Sequence, residues 1–386
     1  MKIFRSALAM SLALVSCQAW AQDTVHIGIL LPMSGSFAAG GHSLWEGIKI
    51  ANKMEPTVLG RSVELKLADT KSDTVEATTA AFSLTEKAGV AAIIGEMVSS
   101  NTIAAAFHAE RRRIPLVTPT ATSGMVTSGK TYVFRICPVD DEQARVAADL
   151  ALHNLGARTA ALICDISQEY SVGLAACFRN EFNRAGGSTV VETRIRTGDR
   201  DFTAQINRIK AASPDVIYAP VYYMECGLMA QQARLMGVDA PIIAGDAVEA
   251  PELVKFGGRS VENLLFTSHF HEDSLDTEIG KKFRNIFLEE TGKRPQASES
   301  LGAEAYLVVL DAIRRAGSVN PEMIREALAT ISNDGGFTST MLIRTGGNGP
   351  LPVLVNEIKN GKFVCVSPPV LELGAGKLRL SDRVSP

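Results

Sequence analysis

Small hydroxyl side chains follow two apolar segments of the chain, at the points where strands are expected to end. The first point is GEMVSSNT (95–102), and the second is VTPTATS (117–123), about twenty residues later. The helical pattern TIAAAFHAERRR follows the first, and the start of a helix offers free backbone N–H groups and the positive end of the helix dipole. The two segments together predict a cradle for a small anion such as a carboxylate. Its hydroxyl donors are Ser99, Ser100, Thr120 and Thr122.

An alternative interpretation of these hydroxyl residues is that they are ordinary helix N-caps, since Ser, Thr and Asn are the preferred capping residues. Either segment taken alone favours that interpretation. Two such segments at successive strand ends of one sheet favour a binding site, because ligands of open α/β sheets bind beyond the carboxyl ends of the strands.

Two further motifs match known binding patterns only in part, and they favour neither a nucleotide-binding site nor a metal site. GMVTSGKT (124–131) matches the phosphate-loop pattern literally, but that pattern requires a following helix, and here the strand-like segment YVFRICPV follows. His269 and His271 share one face of a predicted strand, with Glu272 and Asp273 next in the chain. A metal site is possible there, but a third ligand at a defined spacing is missing, and solvated histidines near a hinge are the alternative.

No pattern in the sequence calls for catalysis. No nucleophile elbow is present, and no Ser or Cys is flanked by an obvious base. We therefore expect no enzyme activity, no cofactor and no bound metal.

The order of apolar and helical segments predicts an α/β fold. Strands such as VHIGILLPM, AAIIGEM and IPLVTPT lack polar alternation, and helical patterns separate them. Such strands belong to a parallel sheet that is covered on both faces. A second series begins with TAALICD and continues through STVVETRI, DVIYAPVYY and APIIAGD. We expect two doubly wound, Rossmann-like lobes with mainly parallel sheets.

The C-terminal part of the chain is expected to form strands, with Asn360-Gly361 as the turn of a hairpin. Three segments, near 135–140, 264–270 and 337–344, are candidates for carrying the chain between the lobes. The predicted N-terminal lobe comprises 22–138 and 267–339, and the C-terminal lobe 139–266 and 340–386. Two such sheets that face each other make a cleft able to close by a hinge motion.

The N-terminal segment MKIFRSALAMSLALVSCQAWAQ predicts a cleaved signal peptide over residues 1–21. Lys2 and Arg5 precede a short apolar run, and the small residues Ala19 and Ala21 precede the cleavage point. A competing interpretation is lipid attachment at Cys17, but this leaves only a short tether before the first strand. No later apolar run approaches the ~20 residues that span a bilayer, so we expect the mature protein to be exported and soluble.

Composition narrows the possible partners. The formal net charge is −3, and the only tight basic cluster is Arg111-Arg112-Arg113 at the end of a helical run, where cations complement the helix dipole. This argues against a nucleic-acid surface. About 360 mature residues favour two lobes, and a monomer is expected. One disulfide is plausible, with no zinc-like spacing, among the cysteines that remain after cleavage: Cys137, Cys164, Cys177, Cys226 and Cys365.

Taken in order, several segments resemble the periplasmic leucine/isoleucine/valine-binding proteins of ABC transporters. The resemblance covers almost the whole mature chain. It implies the type I periplasmic binding protein fold, an amino-acid ligand and a membrane permease as partner. The segments are LLPMSGS, GEMVSSNT, VTPTATS, DISQEY with SVGLA, the pair Tyr222-Tyr223, and AGDAVEAPEL.

The resemblance also implies roles for individual residues. The side chains of Ser99 and Thr122 and the backbone at Thr120 and Ala121 would hold the ligand carboxylate and part of its amine. Tyr170 would close from the second lobe, together with Tyr222 or Tyr223. Asp246 would take the ammonium group. From the residues alone, Asp246 follows the apolar strand PIIAG, where an acid has no core role, and a helix cap before VEAPEL is the alternative.

The sequence departs from the family pattern where the ligand side chain would lie. Family members often carry an aromatic residue shortly after the first Met-Ser-Gly, and here only Phe37 is available before Ala38-Ala39-Gly40-Gly41. Ser171 follows Tyr170 where many members have Gly, and Thr120 replaces a small apolar residue. The ligand class is therefore less defined than the fold, and amides or aromatic acids are alternatives. Two rival functions stay open: the sensing domain of a receptor and, less favoured, an exported hydrolase.

Overall fold

The computed structural model describes residues 24–270, 275, 277–331 and 353–370. Helices and strands alternate along most of this length. The strands are β1 (Val25–Leu31), β2 (Thr57–Val58), β3 (Arg61–Asp69), β4 (Ala92–Gly95), β5 (Leu116–Thr118), β6 (Val133–Arg135), β7 (Thr159–Asp165), β8 (Ser188–Ile195), β9 (Val216–Ala219), β10 (Ile242–Ala244), β11 (Leu265–Ser268), β12 (Val353–Lys359) and β13 (Lys362–Val370). The α-helices are α1 (Ala38–Met54), α2 (Thr74–Glu86), α3 (Ser99–Arg112), α4 (Asp140–Asp149), α5 (Glu169–Arg184), α6 (Thr203–Ala212), α7 (Tyr223–Leu235), α8 (Pro251–Gly257), α9 (Glu278–Thr291), α10 (Ala297–Ala316) and α11 (Pro321–Thr330).

Two sheets organise these elements. The first has the strand order β2-β3-β1-β4-β5-β6 and is parallel apart from the short β2–β3 pair. The second has the order β13-β12-β11-β10-β9-β7-β8 and is parallel from β8 to β11, with β12 and β13 antiparallel at its edge. The predicted α/β class with two mainly parallel sheets is confirmed.

The chain passes between the two sheets three times. It passes from β6 into α4, which packs on α5, β11 and β12. It leaves the second sheet after β11 for α9 and α10, which pack on α1, and it returns between α11 and β12. We call the first sheet with α1–α3 and α9–α11 the first lobe, and the second sheet with α4–α8 the second lobe. The predicted domain boundaries stay a prediction, and the predicted crossover at 337–344 lies outside the described residues.

Burial on both faces explains the apolar strands of the first lobe. Successive side chains of a strand point to opposite faces of the sheet. Ile29 of β1 and Ile94 of β4 pack on the face covered by α1 and α10. Leu30 and Ile93, their neighbours in sequence, pack on the face covered by α2 and α3. Since both faces are covered by helices, no polar alternation is needed.

Two expectations about local structure have different outcomes. The Asn360-Gly361 hairpin is confirmed, because both residues have positive φ angles (52° and 70°) and Lys359 pairs with Lys362. YVFRICPV was expected to be one strand, but only Val133–Arg135 forms β6, and α4 begins at Asp140. No helix was expected there, although three acidic residues in the first turn of α4 are a helix-start signal.

Glycines let α1 and α10 approach until their backbones touch. A Cβ at Gly47 of α1 would lie 1.8 Å from the carbonyl oxygen of Glu299. A Cβ at Gly302 of α10 would lie 2.4 Å from the carbonyl oxygen of Leu44. Any side chain at either position therefore pushes the helices apart.

We predict that Gly47→Ala lowers the free energy of unfolding by about 1–3 kcal/mol or more, because overpacking forces the backbone to shift. Urea unfolding of the purified protein measures this change. Gly124→Ala is the matched control, since a Cβ there would meet no atom within 4 Å and the φ angle is ordinary. Equal denaturation midpoints for the two variants would contradict the close approach of the helices.

Candidate functional site

The first hydroxyl segment lies at the start of α3, directly after β4. The N-cap residue of α3 is Val98, whose side chain makes no cap hydrogen bond. Ser99 and Ser100 lie within the first turn, so neither is the N-cap. The N-cap interpretation of Ser99 and Ser100 is therefore not observed. The N-cap residue Val98 offers no side-chain acceptor to the first N–H groups of α3.

Hydroxyl groups join the ends of β4 and β5. The backbone carbonyl of Glu96 accepts hydrogen bonds from Thr118 Oγ1 at 2.6 Å and from Thr102 Oγ1 at 3.0 Å. Thr120 Oγ1 donates to the carbonyl of Met97 at 3.3 Å. Because β4 and β5 are parallel neighbours, these bonds hold both segments at one edge of the sheet, as the sequence predicted.

The side chain of Glu96 is fully buried beneath this edge. Its carboxylate accepts hydrogen bonds from Thr70 Oγ1 at 2.7 Å, from Asn101 Nδ2 at 3.3 Å and from the N–H of Val98. Burial raises the pKa of Glu96 to about 7, although these hydrogen bonds oppose the rise. Sequence reasoning did not assign this residue a role.

A buried arginine shapes the loop after β5. The guanidinium group of Arg135 donates to the carbonyl oxygens of Ala121, Thr122 and Ser123, and to Thr127 Oγ1. The loop therefore wraps around one cation. The GMVTSGKT motif lies in this loop and continues into β6 rather than a helix, so it lacks the helix that a phosphate loop requires.

The second lobe supplies residues from the carboxyl ends of its own neighbouring strands. Tyr170 lies in α5 after β7, the pair Tyr222-Tyr223 follows β9, and Asp246 follows β10. These three strands are adjacent in the sheet, in the order β10-β9-β7. Asp246 is not the N-cap of α8, which is Ala250, and Asp246 Oδ1 has no hydrogen-bond partner. The helix-cap alternative for Asp246 is therefore not observed.

Residues from both lobes enclose a cavity in which about 50 Å³ is open to the centres of water molecules. Six of the nine predicted site residues line it, whereas Ser100, Ala121 and Thr122 do not. The lining residues are Gly40, Met97, Ser99, Thr120, Tyr170, Tyr222, Tyr223, Asp246, Ala247, Glu249, Ala250 and Ser298.

The three predicted residues outside the lining lie close by. Ser100 Oγ accepts a hydrogen bond from the N–H of Glu169 in the second lobe, at 2.9 Å. Ala121 is fully buried, and its carbonyl accepts from Arg135. Thr122 is also fully buried.

Contacts between the lobes show that the cleft is closed. The hydroxyl of Tyr223 donates to the carbonyl of Ser36 in the first lobe at 2.8 Å. The ring of Tyr222 lies 4.4 Å from the ring of Phe37 and 5.5 Å from that of Tyr170, measured between centroids. Phe37 was the aromatic candidate for packing on a ligand side chain, but it packs on Tyr222 and does not line the cavity.

The charged groups of the cavity lining are both acidic. They are Asp246 and Glu249, and the lining contains no Lys, Arg or His. Burial raises the pKa of Glu249 to about 8, while a hydrogen bond from Ser268 opposes the rise. Behind the lining, His269 Nε2 lies 3.6 Å from Asp246 Oδ2, and burial lowers the pKa of this histidine. The cavity is therefore suited to a ligand with a positive group.

Several remaining sequence expectations are tested only within the described residues. Among these, no group of three His, Cys, Asp or Glu side chains is placed to hold a metal ion. His271, Glu272 and Asp273 lie outside the described residues. No disulfide bond joins the five cysteines that the structure describes at positions 137, 164, 177, 226 and 365. Within the described ranges, no helix is both long enough and apolar enough to cross a membrane.

The chain is similar to known solute-binding proteins along nearly its whole length. A family model described as periplasmic binding protein matches residues 24–362. The Leu/Ile/Val-binding protein BraC3 of Rhizobium johnstonii is 32% identical over 341 residues, which are 87% of this chain and 89% of that protein. The leucine-, isoleucine-, valine-, threonine- and alanine-binding protein of Pseudomonas aeruginosa is 28% identical, covering 85% of this chain and 88% of that protein.

Solved structures give the same result. The leucine-binding protein LivK of Thermotoga maritima superposes with a TM-score of 0.85 at 42% identity, covering 88% of this chain and 97% of that one. LivJ of Streptococcus pneumoniae, solved in complex with isoleucine, has a TM-score of 0.82 at 28% identity and covers 89% of this chain and 100% of that one.

We predict that Glu96→Gln flattens the dependence of stability on pH. The usual pKa of this group is 4.5 and its pKa in the folded protein is about 7. The folded protein therefore keeps a proton that the unfolded chain loses, so stability falls as pH rises from 4.5 to about 7 and then levels off. The variant lacks this fall, which is on the order of 2–4 kcal/mol.

Urea unfolding of the parent and of Glu96→Gln at about pH 5 and about pH 7.5 measures the difference. Other buried acids, Asp140 and Glu249, titrate with the same sign in both proteins, so only the difference between the two profiles is informative. Parallel profiles would show that the Glu96 carboxyl ionises in the folded protein as it does in the unfolded chain.

Proposed function

The chain belongs to the periplasmic binding protein family, and we propose that it is an exported solute-binding protein. On this proposal it captures a small amino acid in the cavity between its lobes and delivers it to the permease of an ABC transporter. The observation that carries the proposal is that a hydrogen-bond donor from one lobe and an acceptor from the other line the same cavity. Ser99, at the N-terminus of α3, lines the cavity from the first lobe. Asp246, whose Oδ1 has no hydrogen-bond partner, lines the cavity from the second lobe.

The two ends of an α-amino acid fit these two groups. Its carboxylate would accept hydrogen bonds from Ser99 Oγ and from the free N–H groups of α3, where the helix dipole favours a negative charge. Its ammonium group would donate to Asp246, a charge-assisted hydrogen bond of the strong kind. The ammonium charge would also compensate the acidic lining.

The remaining predicted residues have proposed roles of different kinds. The hydroxyls of Thr120 and Thr122 and the backbone at Ala121 stay candidates for the carboxylate and amine. Tyr170, Tyr222 and Tyr223 would cover the ligand from the second lobe. Ser100 would stabilise the closed form through its bond to Glu169 rather than by touching the ligand.

The cellular setting follows from the family and the N-terminal sequence. We propose export to the periplasm with cleavage of residues 1–21, a monomeric protein, and binding without turnover. Cys17 lipidation stays the alternative processing route. A ligand-sensing receptor domain and an exported hydrolase are the rival functions, and incubation with amino-acid amides and esters separates the hydrolase, because a binding protein leaves them unchanged.

We predict that ligand-stripped protein binds at least one small amino acid, and that Asp246→Asn weakens this binding while sparing analogues without the amine. A charged hydrogen bond is worth about 1.5–3 kcal/mol, or about 10- to 150-fold in affinity. Calorimetric titration against amino acids and the matching carboxylic acids measures both effects. If nothing in an amino-acid, amide and carboxylate panel binds, the proposed function is wrong. If Asp246→Asn weakens both kinds of ligand equally, Asp246 has a structural role.

We also predict that Tyr223→Phe favours the open form. This variant keeps the ring but removes the bond to the Ser36 carbonyl that joins the lobes. A net hydrogen bond of about 0.5–1.5 kcal/mol corresponds to about 2- to 12-fold weaker ligand binding. Small-angle scattering should show less compaction at equal ligand concentration. Tyr306→Phe is the control, since its hydroxyl bonds to Glu55 within one lobe, and equal behaviour of the two variants would refute the role of Tyr223 in closure.

A further inference from the structure

A polar group is left over in the cavity once an α-amino acid has been placed there. Ser99 and Asp246 account for the carboxylate and the ammonium group. Glu249 and Ser298 also line the cavity. Glu249 lies in the loop before α8, and Ser298 lies in the first turn of α10. The cavity lining therefore contains a carboxyl group and a hydroxyl group beyond those assigned to the two charged ends of the ligand.

Met97 lies against Gly40 in the lining of the cavity. A Cβ at Gly40 would lie 2.6 Å from the terminal methyl of Met97, so Met97 occupies the space that the small residue of α1 leaves. Phe37 packs on Tyr222 instead of facing the cavity. Met97 therefore contributes apolar lining to the cavity, whereas Phe37 contributes none.

Contacts on its far side hold the Glu249 carboxyl group in place. Ser268 Oγ lies 2.6 Å from Oε2, and Asn356 Nδ2 lies 3.4 Å from Oε1. A carboxyl group has more hydrogen-bonding sites than these two contacts use, and Glu249 is also among the residues that line the cavity. With a pKa of about 8, the group is mainly protonated at neutral pH and is then able to donate as well as to accept.

We propose that Glu249 and Ser298 form a second polar subsite, and that the preferred ligand is an amino acid whose short side chain carries a hydroxyl or an amide group. This inference rests on the proposed function. An alkyl side chain would leave the buried carboxyl group without a partner on the cavity side. A hydroxyl or amide would pair with it, and a site built to hydrogen-bond such a group rejects the analogue that lacks it.

The test compares ligands of equal shape. Threonine and valine differ by a hydroxyl in place of a methyl group, and asparagine and leucine differ by an amide in place of an isobutyl end. Calorimetric titration of the ligand-stripped protein should give tighter binding of threonine than of valine, and of asparagine than of leucine. We expect a factor of about 10 to 100, the effect of leaving one buried polar group unpaired.

Variants at the subsite locate the effect. Glu249→Met should remove most of the preference for threonine over valine, while Glu249→Gln, which still donates and accepts, should keep it. Ser298→Ala should reduce the preference in part, and it keeps the test decisive where Glu249→Met does not fold. Thermal unfolding without ligand checks the folding of each variant.

The outcomes separate the two proposals. Valine or leucine binding as tightly as its polar partner refutes the second subsite and leaves the proposed function intact. An unchanged preference in both Glu249→Met and Ser298→Ala refutes these residues as its cause. Failure of every amino acid in the panel to bind overturns the proposed function and the subsite together.

Discussion

Three carboxyl groups lie in the lining of the cavity or behind it, and no cationic side chain lines the cavity. The closed form of this protein depends on how the charge of these carboxyl groups is compensated. Asp246 and Glu249 line the cavity, and Glu96 is buried behind it. Moving a carboxylate out of water costs several kcal/mol unless a partner or a proton compensates its charge. Glu96 and Glu249 have raised pKa values and so are able to keep protons. Asp246 has one oxygen without any partner, so a cationic ligand group favours the closed form over the open one. Such a differential interaction is what allows a ligand to drive closure.

The geometry that brings these groups together is a property of parallel sheets. Each lobe directs the carboxyl ends of its strands at the cleft, and neighbouring strands deliver their loops to one edge. The first lobe fixes its edge with backbone groups. The Glu96 carbonyl joins the hydroxyls of Thr102 and Thr118, and Arg135 binds three successive carbonyls of the next loop. The polar end of the cavity is thus held by main-chain atoms whose positions depend on the fold and little on individual side chains.

This origin explains how much of the site could be predicted from the sequence. Ser99, Thr120 and Asp246 follow apolar strands directly, so their place at the sheet edge could be inferred from order alone. The exclusion of Ser100 could not, because adjacent residues of a helical turn point about 100° apart and only the start of α3 decides which one faces the cavity. Phe37 was matched to the cavity by its position in the chain. Its ring packs on Tyr222 instead, a contact between two lobes that no local pattern reveals.

The side-chain end of the cavity has a different origin. Gly40, Met97, Glu249 and Ser298 come from four elements that are far apart in sequence. Their meeting requires both lobes and the α1–α10 contact, so no spacing in the sequence could have indicated it. Apart from Gly40, they contribute side chains and not main-chain groups to the cavity. A substitution at these positions changes the size and polarity of the lining while the strand ends and the start of α3 stay in place. On the proposed function, an α-amino acid would be held in one fixed manner while these few side chains select the rest of the ligand. In this chain they present a carboxyl group, a hydroxyl group and a methionine where an aromatic wall would favour a purely apolar ligand.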